Sequence, residues 1–211
     1  MTGDTPIVFV VDDDASVLRG IKRLLRSAGF AGETFASARA FLERYDGKAV
    51  GCVILDLAMP GFDGLQMQKA LADRDSVLPI IFLTGHGDIP TSVQAMKGGA
   101  VDFLTKPVSD EELLGAVRNA IQRCEVLSRT REDVEGIRRR VATLTPRERQ
   151  VLAHLLSGKL NKQIAADLGT AEQTIKIHRA RVMQKMQVRT LVALVRLAEH
   201  AGIEAVPPTE S

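Results

Sequence analysis

Four short apolar runs along the chain each end at a polar residue that could take part in chemistry. They are residues 8–11 before Asp12 and Asp13, 53–55 before Asp56, 80–83 before Thr84, and 103–104 before Thr105 and Lys106. Uninterrupted apolar runs separated by amphipathic segments are typical of parallel strands buried on both faces. Ligands of such sheets bind outside the carboxyl ends of the strands. The pattern therefore predicts a shallow pocket for a divalent cation and a phosphoryl group.

Helical patterns fill the intervals between these runs in the first half. Apolar residues recur at helical spacing from Val17 to Ala28, and Gly29 follows as a stop signal. A short second strand is predicted around residues 34–35, and Ser37 can cap a helix that continues to about Tyr45. Further helices are predicted near residues 64–74, 90–98 and 110–127, the last with a capping box of Ser109 and Glu112. Five strands alternating with five helices predict an α/β fold with a doubly wound parallel sheet.

The second half has a helical pattern only. Residues 128–141 are highly charged and poor in apolar residues, which predicts a linker that can extend the preceding helix. Capping and stop signals then predict a small all-α domain. Its predicted helices are one capped by Thr145 and stopped at Gly158, one capped by Asn161 and ending at Gly169, one opened by a capping box of Thr170 and Gln173 and ending near Met186, and one over residues 189–200.

Composition and charge narrow the class of protein. With 45% hydrophobic residues the chain can bury a core, and no apolar stretch approaches the roughly 18–20 residues of a membrane span. A cytosolic protein with no membrane partner is expected. Residues 1–127 carry 13 basic and 17 acidic side chains, whereas residues 128–211 carry 15 and 9. This asymmetry indicates a regulatory module joined to a nucleic-acid binder. Two cysteines, Cys52 and Cys124, are too few for a metal cluster.

The predicted pocket gives each polar residue a chemical role. Asp12, Asp13 and Asp56 would repel one another without a counter-charge, and a hard divalent cation such as Mg²⁺ resolves the conflict. Asp56 is the best nucleophile, Lys106 suits a phosphate contact, and Thr84 can hydrogen-bond a phosphoryl oxygen. Each residue taken singly is more often a cap or a turn residue. Four residue types at successive strand ends favour the functional interpretation.

Three segments carry a resemblance to a known family. They are Val10-Val11-Asp12-Asp13-Asp14, Leu55-Asp56-Leu57-Ala58-Met59-Pro60-Gly61 and Phe103-Leu104-Thr105-Lys106-Pro107. Together they resemble the signature segments of receiver domains of bacterial two-component response regulators. The stretch Thr84-Gly85-His86-Gly87-Asp88-Ile89-Pro90 is similar to the FixJ-like subgroup in particular. The resemblance implies a flavodoxin- or CheY-like receiver over residues 5–124.

The resemblance also implies roles for individual residues. Asp56 would accept a phosphoryl group from a sensor histidine kinase. Asp13, Asp56 and the backbone carbonyl of Ala58 would bind Mg²⁺, or another divalent cation such as Mn²⁺, with Asp12 acting largely through water. Thr84 and Phe103 would form a switch pair.

Further implications concern the backbone at Lys106 and the surface that switches. The peptide bond between Lys106 and Pro107 would be cis. Residues 90–103 would carry the switched surface. Candidate contacts of a phosphorylated homodimer are Ile89, Val93, Met96 and Val101.

The basic half resembles a LuxR/NarL-type helix-turn-helix over residues 142–204, between a charged linker at 125–141 and a tail at 205–211. The matching segments are 144–148, 161–165 and 174–186. Helical spacing gives the last segment an inward face of Ile175, Val182 and Met186, and an outward face that can read the major groove. The outward residues are Lys176, Ile177, Ala180, Arg181 and Gln184. The predicted phosphate contacts are Asn161, Lys162, Thr170, Thr174, Arg179 and Lys185.

These observations predict a cytoplasmic bacterial transcription factor controlled by phosphorylation. It would bind double-stranded DNA as a phosphorylated homodimer, with RNA polymerase as a further candidate partner, and would not be an enzyme beyond turnover of its own phosphoryl group. Three alternatives stay open. One is a regulator of the same build that needs no phosphate, and another is a phosphotransferase acting on outside substrates. The third is a basic half that is a small helical bundle for protein contacts.

Overall fold

The computed structural model describes residues 5–85 and 89–204. The chain divides into two compact units, Met1–Arg129 and Thr130–Ser211, which we call the N-terminal unit and the C-terminal unit. The predicted tail at 205–211 and three residues of the FixJ-like segment, His86, Gly87 and Asp88, lie outside the described residues. Within the described ranges, no helix is long and apolar enough to cross a membrane.

The N-terminal unit is built on a five-stranded parallel sheet. The strands are β1 Ile7–Val11, β2 Ala31–Phe35, β3 Gly51–Leu55, β4 Ile80–Thr84 and β5 Asp102–Thr105. Their order is β2-β1-β3-β4-β5, and every neighbouring pair is parallel. Strands β1, β3 and β4 are almost wholly buried, as their uninterrupted apolar sequences predict. The predicted α/β doubly wound fold is confirmed.

Helices of the N-terminal unit begin and end close to their predicted positions. They are α1 Ala15–Ser27, α2 Ala38–Arg44, α3 Gly64–Ala72 and α4 Ile89–Lys97. Ser37 caps α2 as predicted, because its Oγ accepts a hydrogen bond of 3.2 Å from the backbone N–H of Ala40. Gly29 follows α1 with φ at +83°, a conformation that glycine adopts without steric cost.

Two hydrophobic clusters cover the two faces of the sheet. One contains Phe9, Phe41, Leu55 and Phe82 and lies on the side of α2 and α3. The other contains Val8, Ile54, Ile81, the buried residues of α1 and further buried residues between Leu113 and Ile121. Successive residues of β1, β3 and β4 therefore belong to opposite clusters, as the period of two of a β-strand requires.

Helix α5 runs from Asp110 to Ala142 and continues past residue 127, where the apolar periodicity ends. Residues 125–141 are helical throughout, so the charged stretch extends the preceding helix, which the sequence analysis had left open. Exposed ion pairs at i, i+4 spacing support this apolar-poor stretch: Glu125 with Arg129, and Glu135 with both Arg131 and Arg139. The low apolar content left this extension undecided at the level of sequence, because hydrophobic periodicity is the main signal by which a helix is recognised.

In the part of the C-terminal unit that the structure describes, up to residue 204, four further helices pack with the last part of α5. They are α6 Pro146–Leu156, α7 Asn161–Asp167, α8 Glu172–Lys185 and α9 Leu191–His200. The predicted capping box at the start of α6 is confirmed, with Thr145 and Glu148 bonded reciprocally. Two other predicted caps were wrong. Leu160 and Ala171 precede α7 and α8, and neither provides a side-chain cap.

Candidate functional site

Backbone hydrogen bonds bring the ends of the strands to one edge of the sheet. Val11 is the register partner of both Phe35 and Leu55, and the backbone N–H of Asp56 donates to the carbonyl of Val11 at 2.8 Å. Between the ends of β4 and β5, the backbone N–H of Lys106 donates to the carbonyl of Thr84 at 2.7 Å. The residues that directly follow β1, β3 and β5 therefore lie at a common edge.

Three carboxylates converge at this edge. One oxygen each of Asp12, Asp13 and Asp56 lies within 4.8 Å of the others, and Asp13 is the exposed member of the set. Carboxylate oxygens are the ligands that Mg²⁺ prefers, and the exposed side leaves room for water and phosphate oxygens. The residues present therefore fit a hard divalent cation.

The ammonium group of Lys106 reaches into the acidic cluster. Its Nζ lies 2.6 Å from Oδ2 of Asp12 and 3.4 Å from Oδ1 of Asp56. Burial raises the pKa of Asp56, Lys106 lowers it, and the charge of Asp12 raises it again, so the pKa stays above its ordinary value. Burial lowers the pKa of Lys106, but hydrogen bonding to Asp12 and the charge of Asp56 outweigh burial and raise it.

The loop after β1 holds Asp12 and starts α1. Oδ1 of Asp12 accepts a hydrogen bond of 2.8 Å from the backbone N–H of Asp14. The carboxylate of Asp14 in turn accepts from the side chain and backbone of Ser16, which lowers the pKa of Asp14 and caps α1. Both oxygens of Asp12 are thus engaged, one by Lys106 and one by the backbone. The run of three aspartates combines a helix cap with a charged site.

The remaining predicted site residues lie on neighbouring elements. Thr84 ends β4 and is fully buried, whereas Ala58 is exposed on the loop after β3. Phe103 is half-buried on β5, and its ring centroid lies 6.1 Å from that of Phe82. The predicted cis peptide bond between Lys106 and Pro107 is present.

Helix α4 carries three of the four residues predicted to contact a second copy of the chain. Ile89 is 80% exposed, and Val93 and Met96 are also exposed. Val101 does not share this surface, because its side chain packs against the cluster that contains Ile81. We call the exposed set of Ile89, Val93 and Met96 the α4 patch.

Helix α8 has the two-sided character that the sequence predicts. Ile175, Val182 and Met186 are fully buried. Residues on the opposite side are exposed. They are Lys176, Ile177, Ala180, Arg181 and Gln184.

The predicted phosphate contacts lie on α7, before α8 and on α8 itself. Some of them already make hydrogen bonds within the C-terminal unit. Lys162 is exposed on α7, and Thr170 and Thr174 are half-buried close to the start of α8. Nη1 of Arg179 donates to Oδ1 of Asn161 at 3.3 Å, which links α8 to the first residue of α7.

Lys185 has partners that sequence reasoning missed. Its Nζ lies 2.7 Å from Oε2 of the buried Glu148 and donates to the carbonyl of Thr143 at 3.0 Å. Glu148 was recognised as a capping residue, but a partner 37 residues away leaves no local signal. Hydrogen bonds from Lys185 and Thr145 lower the pKa of Glu148. Lys185 is therefore left out of the DNA contacts proposed below, because its ammonium group joins α8 to α6.

Replacing Lys185 with Met should lower the free energy of unfolding of the C-terminal unit by about 2 kcal/mol at neutral pH, less than the loss of a fully buried pair would cost, because Lys185 is one-third exposed. The variant leaves the carboxylate of Glu148 buried without its cation. Because folding lowers the pKa of Glu148, its stabilising contribution is present above about pH 4.5 and disappears as the pH falls below that value. The difference between the variant and the parent should therefore shrink in acid.

Urea unfolding of the full chain measures this effect. Tyr45, the only tyrosine in a chain without tryptophan, lies in the N-terminal unit, so its fluorescence follows that unit. Circular dichroism follows the helices of both units. A circular dichroism transition that is not accompanied by a change in Tyr45 fluorescence therefore reports on the C-terminal unit. Lys162→Met, at an exposed lysine, is the matched control and should leave this transition unchanged. An equal loss in both variants would mean that the ion pair contributes nothing.

Both cysteines are free and fully buried, in agreement with the interpretation of Cys52 and Cys124 as packing residues. Burial raises the pKa of Cys52 to about 12, so its thiol is unreactive at neutral pH.

Comparisons with known proteins agree with this geometry. Residues 8–118 match the model of the response regulator receiver domain, and residues 142–198 match that of bacterial regulatory proteins of the luxR family. Nodulation protein W of Bradyrhizobium diazoefficiens is 47% identical over 199 residues, which cover 94% of this chain and 88% of that protein.

Two solved structures extend over nearly the whole chain. A low-resolution structure of the response regulator StyR has a TM-score of 0.82 and 46% identity, covering 93% of this chain and 99% of that one. Full-length FixJ from B. japonicum has a TM-score of 0.58 and 43% identity, covering 95% and 99%.

A receiver-type sheet followed by a luxR-type helix-turn-helix defines a two-component response regulator that acts on transcription. The chain belongs to this response regulator family, as its match over more than half of its length and its relatives together show. The resemblance predicted from the sequence is confirmed.

Proposed function

We propose that Asp56 accepts a phosphoryl group from a sensor histidine kinase, and that this modification promotes dimerisation and binding to specific DNA sites in the bacterial cytoplasm. The proposed division is a receiver over 5–124, a helical linker over 125–141 and a DNA-binding domain over 142–204. The convergence of three carboxylates and the ammonium group of Lys106 at one edge of the sheet carries this proposal.

The residues at this edge have complementary roles in the proposed transfer. A carboxylate oxygen of Asp56 forms the new bond to phosphorus, while the bond from phosphorus to the histidine nitrogen of the donor breaks and its electron pair stays on that nitrogen. Mg²⁺, or another divalent cation such as Mn²⁺, would supply charge neutralisation when held by Asp13, Asp56 and the carbonyl of Ala58, with Asp12 acting largely through water.

Lys106 and Thr84 would stabilise the product. The ammonium group already lies 3.4 Å from a carboxylate oxygen of Asp56, so a small movement lets it pair with a phosphoryl oxygen. The hydroxyl group of Thr84, at the end of the neighbouring β4, would hydrogen-bond a second phosphoryl oxygen. Ala58 provides no polar side chain of its own on the loop after Asp56.

Switching would connect this edge to the α4 patch. The added charge, roughly −1.5 to −2, would favour the receiver conformation in which Thr84 moves toward the phosphoryl group and Phe103 turns inward. The exposed residues Ile89, Val93 and Met96 would then meet the same surface of a second copy.

The dimer would position two DNA-binding domains on half-sites about 10 base pairs apart. Base edges would be contacted from the outward face of α8, by Lys176, Ile177, Ala180 and Arg181. Backbone phosphates would be contacted by Asn161, Lys162, Thr170, Thr174 and Arg179. RNA polymerase is a candidate partner of the bound dimer.

Treatment of the full chain with Mg²⁺ and acetyl phosphate tests the proposal. Intact mass should increase by one phosphoryl group, and the dimer fraction and DNA affinity should rise with it. Omission of Mg²⁺ or its removal by a chelator should prevent all three changes. Modification without any change in dimerisation or DNA binding would contradict the proposed coupling.

A further inference from the structure

An apolar side chain lies at the centre of the outward face of α8. Ile177 is 48% exposed, on the side of the helix opposite the fully buried Ile175 and Val182. Single exposed apolar residues are common on protein surfaces, so exposure alone has little meaning. The position is informative because this face of a helix-turn-helix meets the edges of the base pairs.

The neighbours of Ile177 make this centre locally apolar. Ala180 follows at i+3 and is exposed, so that its methyl group lies beside the side chain of Ile177. The flanking cations are Lys176, whose Nζ lies 3.1 Å from Oε1 of Glu172, and the exposed Arg181. Two cationic residues therefore flank a small apolar area that can neither donate nor accept a hydrogen bond.

We propose that Ile177, together with Ala180, binds the C5-methyl group of a thymine in each DNA half-site. Thymine is the base that presents an apolar group in the major groove, and alanine-like and other apolar side chains contact it there. Cytosine at the same position lacks the methyl group and leaves its amino donor facing Ile177 without an acceptor. The inference rests on the proposed DNA-binding function and names the base feature that this helix reads.

Deoxyuridine substitution tests the inference, because it removes the methyl group and leaves base pairing unchanged. The full chain, treated with Mg²⁺ and acetyl phosphate, selects its binding duplex from a randomised pool. Each thymine of the selected half-site is then replaced by deoxyuridine, with affinity measured at one fixed salt concentration. Deoxyuridine at one position of one half-site should weaken binding by about four-fold, as expected for the loss of one buried methyl group. The same replacement in both half-sites should weaken binding by about fifteen-fold.

Variants at Ile177 assign the effect to this side chain. Ile177→Ala should discriminate clearly less than the parent chain between the thymine and deoxyuridine duplexes at that position, whereas Ile177→Val should keep most of the discrimination. Val192→Ala is the matched control, since Val192 is a 64% exposed β-branched residue on α9, and it should discriminate like the parent chain. Unchanged thermal unfolding of Ile177→Ala confirms that the variant is folded.

Two outcomes would overturn the inference alone. One is a selected duplex in which no thymine responds to deoxyuridine, and the other is an undiminished response in Ile177→Ala. The latter would assign the methyl contact to a different side chain. Failure to enrich any duplex would overturn the DNA-binding proposal itself and this inference with it.

Discussion

Asp56→Asn should abolish modification of the chain by acetyl phosphate, and with it the stimulated dimerisation and DNA binding. An amide is nearly the same size as a carboxylate but is not a nucleophile toward phosphorus, so the loss should be complete in the intact mass. The neutral side chain should not reduce the stability of the N-terminal unit in the absence of a cation. Burial and the charge of Asp12 already raise the pKa of Asp56, which means that folding disfavours its ionised form.

Asp73→Asn is the control for this prediction. Asp73 follows α3 and is exposed, and its removal changes the net charge by the same amount. It should be modified and should dimerise like the parent chain. If Asp56→Asn still dimerises and binds DNA in response to acetyl phosphate, the phosphorylation-independent regulator becomes the better account. If each chain instead releases many phosphate groups from an added phosphomonoester, the phosphotransferase becomes the better account.

Gly64→Ala should destabilise the N-terminal unit by about 2 kcal/mol or more. A Cβ atom at Gly64 would lie 2.6 Å from the backbone oxygen of Asp56, 2.9 Å from a ring carbon of Phe82 and 3.1 Å from Cα of Leu57. Two of these neighbours are backbone atoms, so relief requires movement of the loop that carries Asp56. Modification by acetyl phosphate should therefore slow as well, in the fraction of chains that stays folded.

Gly115→Ala provides a matched comparison in the same unit. Gly115 lies inside α5, and a Cβ atom there would meet nothing within 4 Å. This variant should be stabilised by about 0.5–1 kcal/mol, because alanine is the better helix former. Urea unfolding followed by Tyr45 fluorescence measures both variants. Equal stability of Gly64→Ala and the parent chain would show that the loop accommodates the methyl group.

The N-terminal site was largely predictable because it depends on a simple rule of topology. Apolar runs without polar interruption predict parallel strands, and residues that directly follow such strands share one edge. Asp12, Asp56 and Lys106 satisfied this rule, and their carboxylate and ammonium atoms are near neighbours in the structure. The rule does not predict which charged group each of these side chains contacts. Lys106 was predicted to contact phosphate, and in the structure its shorter contact is with Asp12.

The C-terminal unit shows where local signals are insufficient. Asn161 and Thr170 are residue types that cap helices, yet the helices begin after Leu160 and Ala171. Packing of Ile164 and Ile175 into the core determines where the turns of α7 and α8 lie, and it outweighs the weaker preference for a capping side chain. The sequence left the length of α5 open, because charged pairs rather than an apolar stripe support its second half.

Taken alone, the order of residues determined the class of fold, the family and the acids that can meet a cation. These properties depend on periodicity and on motifs of a few adjacent residues, which are visible along the chain. The tertiary structure decided which charged groups are already paired, as with Lys185 and Glu148, and which stay open to a ligand, as with the outward face of α8. Such pairings join residues far apart in sequence, and only the packing of complete helices and strands brings them within a few ångströms.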